Sequence, residues 1–249
     1  GNSKVMDRIE SRNNPRVKNA IEVRMKPSKN AFLVEGFHVV EMASAAFCLD
    51  EVFSRDSFSA PNVIVHQCPM SIVDKISSNK SPEGIVGVAH YKDPNPGLKS
   101  NRVLMLDRVQ DPGNMGTLLR TALAFGYKDI FLLPGCCSPF NGKVVAGTQG
   151  AIFELSLHFP KNEQEAVSML RQAGYRVVGS ALRNSIALGD FKMTTTKFAL
   201  VLGNEGRGMT ETLISQCDQI VKIEMSGIDS LNVGIAGGIL MYNLKNKVE

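Results

Sequence analysis

The strongest constraint on this 249-residue chain is a run of consecutive apolar residues, Val103-Leu104-Met105-Leu106, echoed at Ile130-Phe131-Leu132-Leu133 and at Phe198 to Leu202. A strand that faces water on one side alternates polar and apolar residues, whereas a continuous apolar run is covered on both faces, as in a parallel sheet flanked by helices. Further strands read at Ile152 to Leu157, Arg176 to Ala181 and Gln219 to Ile223. Helical spacing intervenes near Asn114 to Phe125, Gly142 to Gln149, Asn162 to Ala173, Thr210 to Ser215 and Leu231 to Lys245. This alternation predicts an open, mostly parallel α/β sheet from residue 102 onward.

Upstream the elements are shorter. A polar cluster, Ser11 to Pro15, precedes a basic amphipathic helix whose apolar stripe is Val17, Ala20, Ile21 and Met25. Strand-like runs at Ala31 to Val34, Glu51 to Phe53, Val63 to Val65 and Gly84 to His90 alternate with helices near Glu35 to Phe47 and Ser71 to Ile76, predicting a small α/β domain. Between the two, Lys92-Asp93-Pro94-Asn95-Pro96-Gly97-Leu98-Lys99-Ser100 resists both helix and strand. The expected organisation is a domain over 1–91, a linker over 92–101 and a second domain over 102–249.

Charge is unevenly placed. The net charge is +4, yet residues 1–30 hold eight Lys or Arg against three acidic residues, so the rest of the chain is slightly negative. A basic segment of this kind suits a polyanionic partner such as RNA. Five cysteines without C-x-x-C spacing point to a reduced, cytoplasmic compartment rather than a disulfide framework. The four histidines lack metal-ligand spacing, so no metal is expected. No apolar run approaches the roughly 18 to 20 residues needed to cross a bilayer, and the start of the chain is polar, so a soluble protein without membrane association is expected.

Three stretches carry the chemistry. Val201-Leu202-Gly203-Asn204-Glu205-Gly206-Arg207-Gly208 breaks from a strand at Gly203, where ligands meet backbone at the carboxyl ends of parallel strands. It lacks both the Lys-Ser or Lys-Thr of a phosphate loop and the spacing of a dinucleotide fingerprint. Asp111-Pro112-Gly113-Asn114 forms a turn with Asn114 as the expected helix cap, and Arg120 follows six residues later. Leu231 to Leu240, entered through Ser230, carries small residues where a buried helix must pass close to another backbone.

In order and spacing, Asn114 to Arg120, Leu202 to Gly208 and Ile223 to Leu240 resemble the three signature motifs of the SpoU (TrmH-like) family of RNA ribose methyltransferases. The resemblance covers residues 102 to 249 and extends more weakly to the upstream domain. It implies a SPOUT fold, a mostly parallel sheet threaded into a deep trefoil knot, preceded by a small α/β RNA-binding domain like those of some ribosomal proteins. It implies S-adenosylmethionine as cofactor, held by Leu202, Gly203, Ile223, Met225 and Leu231. It assigns the catalytic site to Arg120, Asn114, Glu205, Ser230 and Asn232, completed across a homodimer. The implied reaction moves a methyl group to a ribose 2'-hydroxyl of RNA, ribosomal before transfer RNA, with a non-catalytic RNA-binding module as the alternative. A guanidinium is a poor general base, so Arg120 is better suited to anchoring a phosphate or a developing alkoxide. Two positions depart from the family pattern. Gly234 stands where a small polar residue is usual, and Ala146-Gly147-Thr148-Gln149-Gly150 lacks a common arginine.

Overall fold

The computed structural model describes residues 5–98 and 100–248; Lys4 of the basic segment and Lys99 of the linker lie outside the described residues. The chain divides into two compact units, one comprising the chain up to Lys92 together with Ser138–Phe153, the other Asp93–Cys137 and the chain from Glu154.

The first unit contains β1 (Val5–Arg8), α1 (Pro15–Met25), β2 (Phe32–Glu35), α2 (Phe37–Ala45), β3 (Leu49–Ser54), β4 (Ile64–Gln67), α3 (Met70–Ile76) and β5 (Ile85–Ala89). Its sheet runs β1-β4-β3-β5-β2. The first three are mutually parallel, while β5 lies antiparallel to both β3 and β2. α1 starts where the polar cluster predicts: Asn14 caps it by accepting from the Arg16 N–H at 2.8 Å, and Pro15 occupies the first turn, where no N–H is needed. Along β2 successive side chains point to opposite faces. Leu33 packs in one core with Val17, Ala20 and Val23 of α1 and Ile72, Val73 and Ile76 of α3. Phe32 points the other way, its ring 5.3 Å from Phe140 and 6.0 Å from Phe153. Those rings explain why 138–153, which the sequence places inside the second domain, clusters with the first unit. Strand β1, at one sheet edge, has no counterpart in the sequence expectation.

A buried polar line crosses this unit. His66 of β4 bonds Asp7 of β1 through Nδ1 and the buried Glu51 of β3 through Nε2 at 2.6 Å, and Arg16 of α1 stands 3.5 Å from the same Glu51 oxygen.

The second unit contains β6 (Arg102–Leu106), α4 (Pro112–Ala124), β7 (Asp129–Leu132), β8 (Ser156–His158), α6 (Glu163–Gln172), β9 (Arg176–Ser180), β10 (Ile186–Ala187), β11 (Phe198–Leu202), α7 (Glu211–Gln216), β12 (Gln219–Lys222) and α8 (Val233–Asn246); α5 (Gly142–Thr148) belongs to the first unit. Its seven strands run β10-β12-β9-β11-β6-β7-β8, and their pairings are parallel. The predicted parallel α/β sheet is therefore observed. The strand expected over Ile152 to Leu157 is instead a 3-10 turn at Ala151–Phe153 followed by the short β8, because Phe153 is drawn into the first unit's core. On one face Val103, Met105, Val177, Ala199 and Val201 pack against Ala166, Val167 and Leu170 of α6 and Leu213 of α7. Helices α4 and α8 pack together, with α8 against β11. From β6 the chain adds β7 and β8 outward, then crosses to the other side and inserts β11 between β9 and β6. A switch point of this kind, at the β6–β11 carboxyl edge, is where such sheets bind ligands.

Burial lowers the affinity of His66 for a proton, but its hydrogen bonds to Glu51 and Asp7 and their charges outweigh burial and raise its pKa above 6.5. A raised folded-state value stabilises below the unfolded-state pKa and is lost as pH rises through the folded value. We expect the denaturation midpoint of the protein to fall as the pH is raised above 6.5. A His66→Gln variant should lose that decline; an unchanged pH profile in the variant would show that His66 is not its source.

Candidate active site

At the end of β6 the chain leaves the sheet through Asp107 and Arg108. The Asp107 N–H donates to the Leu202 carbonyl at 2.9 Å, so β6 and β11 end flush. Buried Asp107 accepts from the Thr210 N–H at 2.9 Å, fixing the start of α7. Helix α4 begins at Pro112, earlier than the sequence suggests. Its cap is Asp111, whose carboxylate accepts from the Asn114 N–H at 2.8 Å, and Asn114 lies inside the first turn. The carboxylate of Asp111 serves that orphan N–H, which releases the Asn114 side chain for other work.

That work is to join two loops. The Asn114 side-chain carbonyl accepts from Asn232 Nδ2 at 3.0 Å, and its amide lies close enough to the Glu205 carboxylate to help lower that group's pKa. Asn232 in turn caps α8, accepting from the N–H groups of Gly234 at 2.8 Å and Ile235 at 3.2 Å. α8 therefore begins at Val233, not Leu231, because the cap lies one residue further on. Glu205 accepts from the backbone N–H of Asp111 at 2.6 Å and of Gln110 at 3.1 Å. Burial raises its pKa, but the N–H groups of Asp111, of Glu205 itself and of Gln110, with the Asn114 amide, outweigh burial and hold the carboxyl below its ordinary range. It is therefore an anion at neutral pH, and an acceptor only.

The loop carrying Glu205 folds back on itself. Asn204 and Gly208 exchange backbone hydrogen bonds at 3.0 and 2.8 Å, while the Asn204 side chain accepts from the N–H groups of Gly206 and Arg207 and donates to the Arg108 carbonyl at 2.8 Å. Sequence reasoning missed Asn204, although asparagine two residues before a glycine is a recognisable turn signal. A Cβ on Gly203 would lie 2.1 Å from the carbonyl carbon of Gly208 and from the nitrogen of Met209, so only glycine fits. On α8, a Cβ at Gly237 would lie 2.4 Å from Leu118 of α4 and 2.9 Å from Leu202.

Of the five expected catalytic residues, Asn114 and Asn232 are thus joined by a hydrogen bond, and Glu205 is tied to them through Asp111, whose N–H it holds and whose carboxylate caps Asn114. Arg120 is exposed on α4, six residues and about 9 Å along the axis from Asn114. Ser230 is exposed in the loop before Asn232. Of the expected cofactor residues, Leu202 and Gly203 are buried at the end of β11, Ile223 and Met225 are half-buried beyond β12, and Leu231 is exposed.

The pattern described as the SpoU rRNA Methylase family matches residues 101–242, which include all ten of these residues. The chain belongs to that family. Among its relatives in the SpoU family, the Bacillus subtilis 23S rRNA (guanosine(2553)-2'-O)-methyltransferase RlmP is 33% identical over 250 residues, 96% of this chain and 100% of that protein. An uncharacterized tRNA/rRNA methyltransferase of Synechocystis is 26% identical over 96% of this chain and 93% of its own. The crystal structure of an AdoMet-bound rRNA methyltransferase from Sinorhizobium meliloti superposes with a TM-score of 0.87 over 98% of this chain and 99% of that one. At 24% identity that likeness shows a shared fold.

Two glycines of the site should respond oppositely to alanine. Gly203→Ala places a methyl against rigid backbone and should cost more than about 3 kcal/mol in urea denaturation. At Gly234 a Cβ would lie 3.0 Å from the Asn232 side-chain oxygen and 3.3 Å from Thr117 Cγ2. Helix propensity gains about 1 kcal/mol from alanine, so Gly234→Ala should be close to neutral. Equal losses at both positions would contradict this reading.

Proposed function

We propose that the protein transfers a methyl group from S-adenosylmethionine to a ribose 2'-hydroxyl of ribosomal RNA. The observation that carries the proposal is the hydrogen-bonded line Glu205–Asp111–Asn114–Asn232, which draws the loops of all three motifs to one carboxyl edge of a parallel sheet. Family membership and the RlmP relative, whose name gives a 23S rRNA 2'-O-methylation, support the substrate class.

The residues present suit the cofactor. Half-buried Ile223 and Met225 and exposed Leu231 offer apolar surface for a purine, and the folded-back loop beyond Gly203 presents backbone groups for its edge. When bound, S-adenosylmethionine supplies an activated methyl group on a sulfonium. The protein's own part is to hold the hydroxyl in line with that methyl and to manage the proton it loses. Glu205 is committed to the backbone N–H groups of Gln110 and Asp111 and positions the turn before α4; we assign it no proton transfer. Arg120 keeps its charge throughout, and on a helix a side chain leans toward the amino terminus. A long guanidinium on α4 can therefore reach back toward the sheet edge, to anchor a phosphate or a developing alkoxide. Asn232 reaches the same edge through Asn114, and Ser230, two residues before it, is proposed to complete the site.

A homodimer belongs to the proposal. Ile235 and Tyr242, seven residues apart on one face of α8, are 57% and 50% exposed, a face that a second copy would cover. The trefoil knot is likewise proposed, with α8 returning to α4 after β12 has been laid outside β9. RNA binding is assigned to the first unit, where Arg12, Arg16, Lys18, Lys26 and Lys29 are exposed. No helix among the described residues is long and apolar enough to cross a membrane, consistent with a cytoplasmic role.

Arg120→Lys keeps the charge and loses the fork of donors. With purified protein and ribosomal RNA, turnover should fall about a hundredfold, while calorimetric titration should show cofactor binding unchanged. Near-normal turnover in the variant would remove Arg120 from the mechanism.

A further inference from the structure

Arg108 stands in none of the motifs, yet its backbone is among the few non-glycine residues of the described chain in the left-handed region, with φ 58°. A long side chain gains nothing locally from that conformation, which costs of order 1 kcal/mol or more and persists where the surroundings enforce it. Here they do so from four directions. The Arg108 carbonyl accepts from Asn204 Nδ2 at 2.8 Å. Its Nη2 donates to the Gly208 carbonyl at 3.0 Å, the oxygen that also closes the loop onto the Asn204 N–H. Its Nε stands 3.3 Å from Asp107 Oδ1, and a Cβ on Gly135 would lie 2.9 Å from its Cγ.

The consequences meet in the loop carrying Glu205. The left-handed turn at Arg108 lies two and three residues before the Gln110 and Asp111 N–H groups that grip Glu205. The guanidinium meanwhile grips the far end of the same loop at Gly208. The segment 107–111 thus holds 203–208 at its beginning through Asn204, at its middle through Glu205 and at its end through Gly208. Of these three, only the bond to Gly208 depends on a side chain that sequence comparison with the motifs would not single out.

We infer that Arg108 is a positioning residue, which clamps the 203–208 loop shut through the Gly208 carbonyl and so keeps the cofactor edge preformed. The cofactor part rests on the methyltransferase reading above; the clamp itself does not. Asparagine tolerates the left-handed conformation, so Arg108→Asn keeps the turn and the carbonyl accepting from Asn204 and deletes only the guanidinium. Arg108→Lys keeps a donor that can reach Gly208.

Trypsin reports on the loop directly, because the Arg207–Gly208 bond lies within it. In the protein without cofactor, the rate of cleavage after Arg207, followed by mass spectrometry, should rise about tenfold in Arg108→Asn, with cleavage unchanged at the sites that the variant and the wild type share. Arg108→Lys should restore most of the protection. With cofactor, KM for S-adenosylmethionine should rise about tenfold in Arg108→Asn at nearly constant kcat, since a preformed edge is lost and no reacting group is touched. Wild-type cleavage after Arg207 in Arg108→Asn overturns the clamp. Faster cleavage with an unchanged KM overturns its role at the cofactor edge. Absence of cofactor binding by the wild-type protein would instead contradict the methyltransferase reading and leave the cleavage result to decide the clamp alone.

Discussion

The carboxylate of Glu205 is the interaction on which the rest of the second unit depends. It takes the N–H groups of Gln110 and Asp111 just before α4; Asp111 in turn caps Asn114 just inside it, and Asn114 reaches Asn232 at the head of α8. Residues nearly a hundred positions apart are thereby held at one edge of a parallel sheet. Without that anion the N–H groups of 110 and 111 would lack their partner, and the helix that carries Arg120 would lose its fixed entry angle. These N–H groups are exposed, so water can take the place of the carboxylate, and its loss falls on the geometry of the turn more than on an unmatched donor.

Close backbone approach is the second constraint, and it follows from the first. For Glu205 to reach the turn before α4, the loop must reverse immediately after β11, and Gly203 lets Gly208 and Met209 lie against it. For Asn232 to reach Asn114, α8 must pass tightly over Leu118 and Leu202, and Gly237 permits that. Gly234 sits between these demands, beside Thr117 and its own cap. The small polar residue usual there in the family would meet the same neighbours, so the departure alters little of the packing.

Much of this was legible from the sequence because the signals are local. Continuous apolar runs announced the parallel strands, the Asn14-Pro15 pair announced α1, and three separated motifs announced the family. What was not legible depends on distant partners. Asn114 has the side chain of a cap, but Asp111 precedes a proline and takes that role, which only the observed hydrogen bonds reveal. Phe140 and Phe153 carry no label for the ring they will meet, so the assignment of 138–153 to the first unit waits on Phe32. β1 is four residues long and polar at Asp7 and Arg8, with nothing in its periodicity to mark a strand; pairing with β4 defines it. Nor could spacing show that Arg120, on the exposed side of α4, is not hydrogen-bonded into the Glu205 network.

Asn114 and Asn232 act as one connection between the first and third motifs. A double-mutant cycle on unfolding free energy, with Asn114→Ala, Asn232→Ala and the pair, measures that connection. A coupling of about 1 kcal/mol or more between the two positions is expected. Additive losses, agreeing within about 0.5 kcal/mol, would mean that the two side chains stabilise their helices independently and that the motifs are brought together by packing alone.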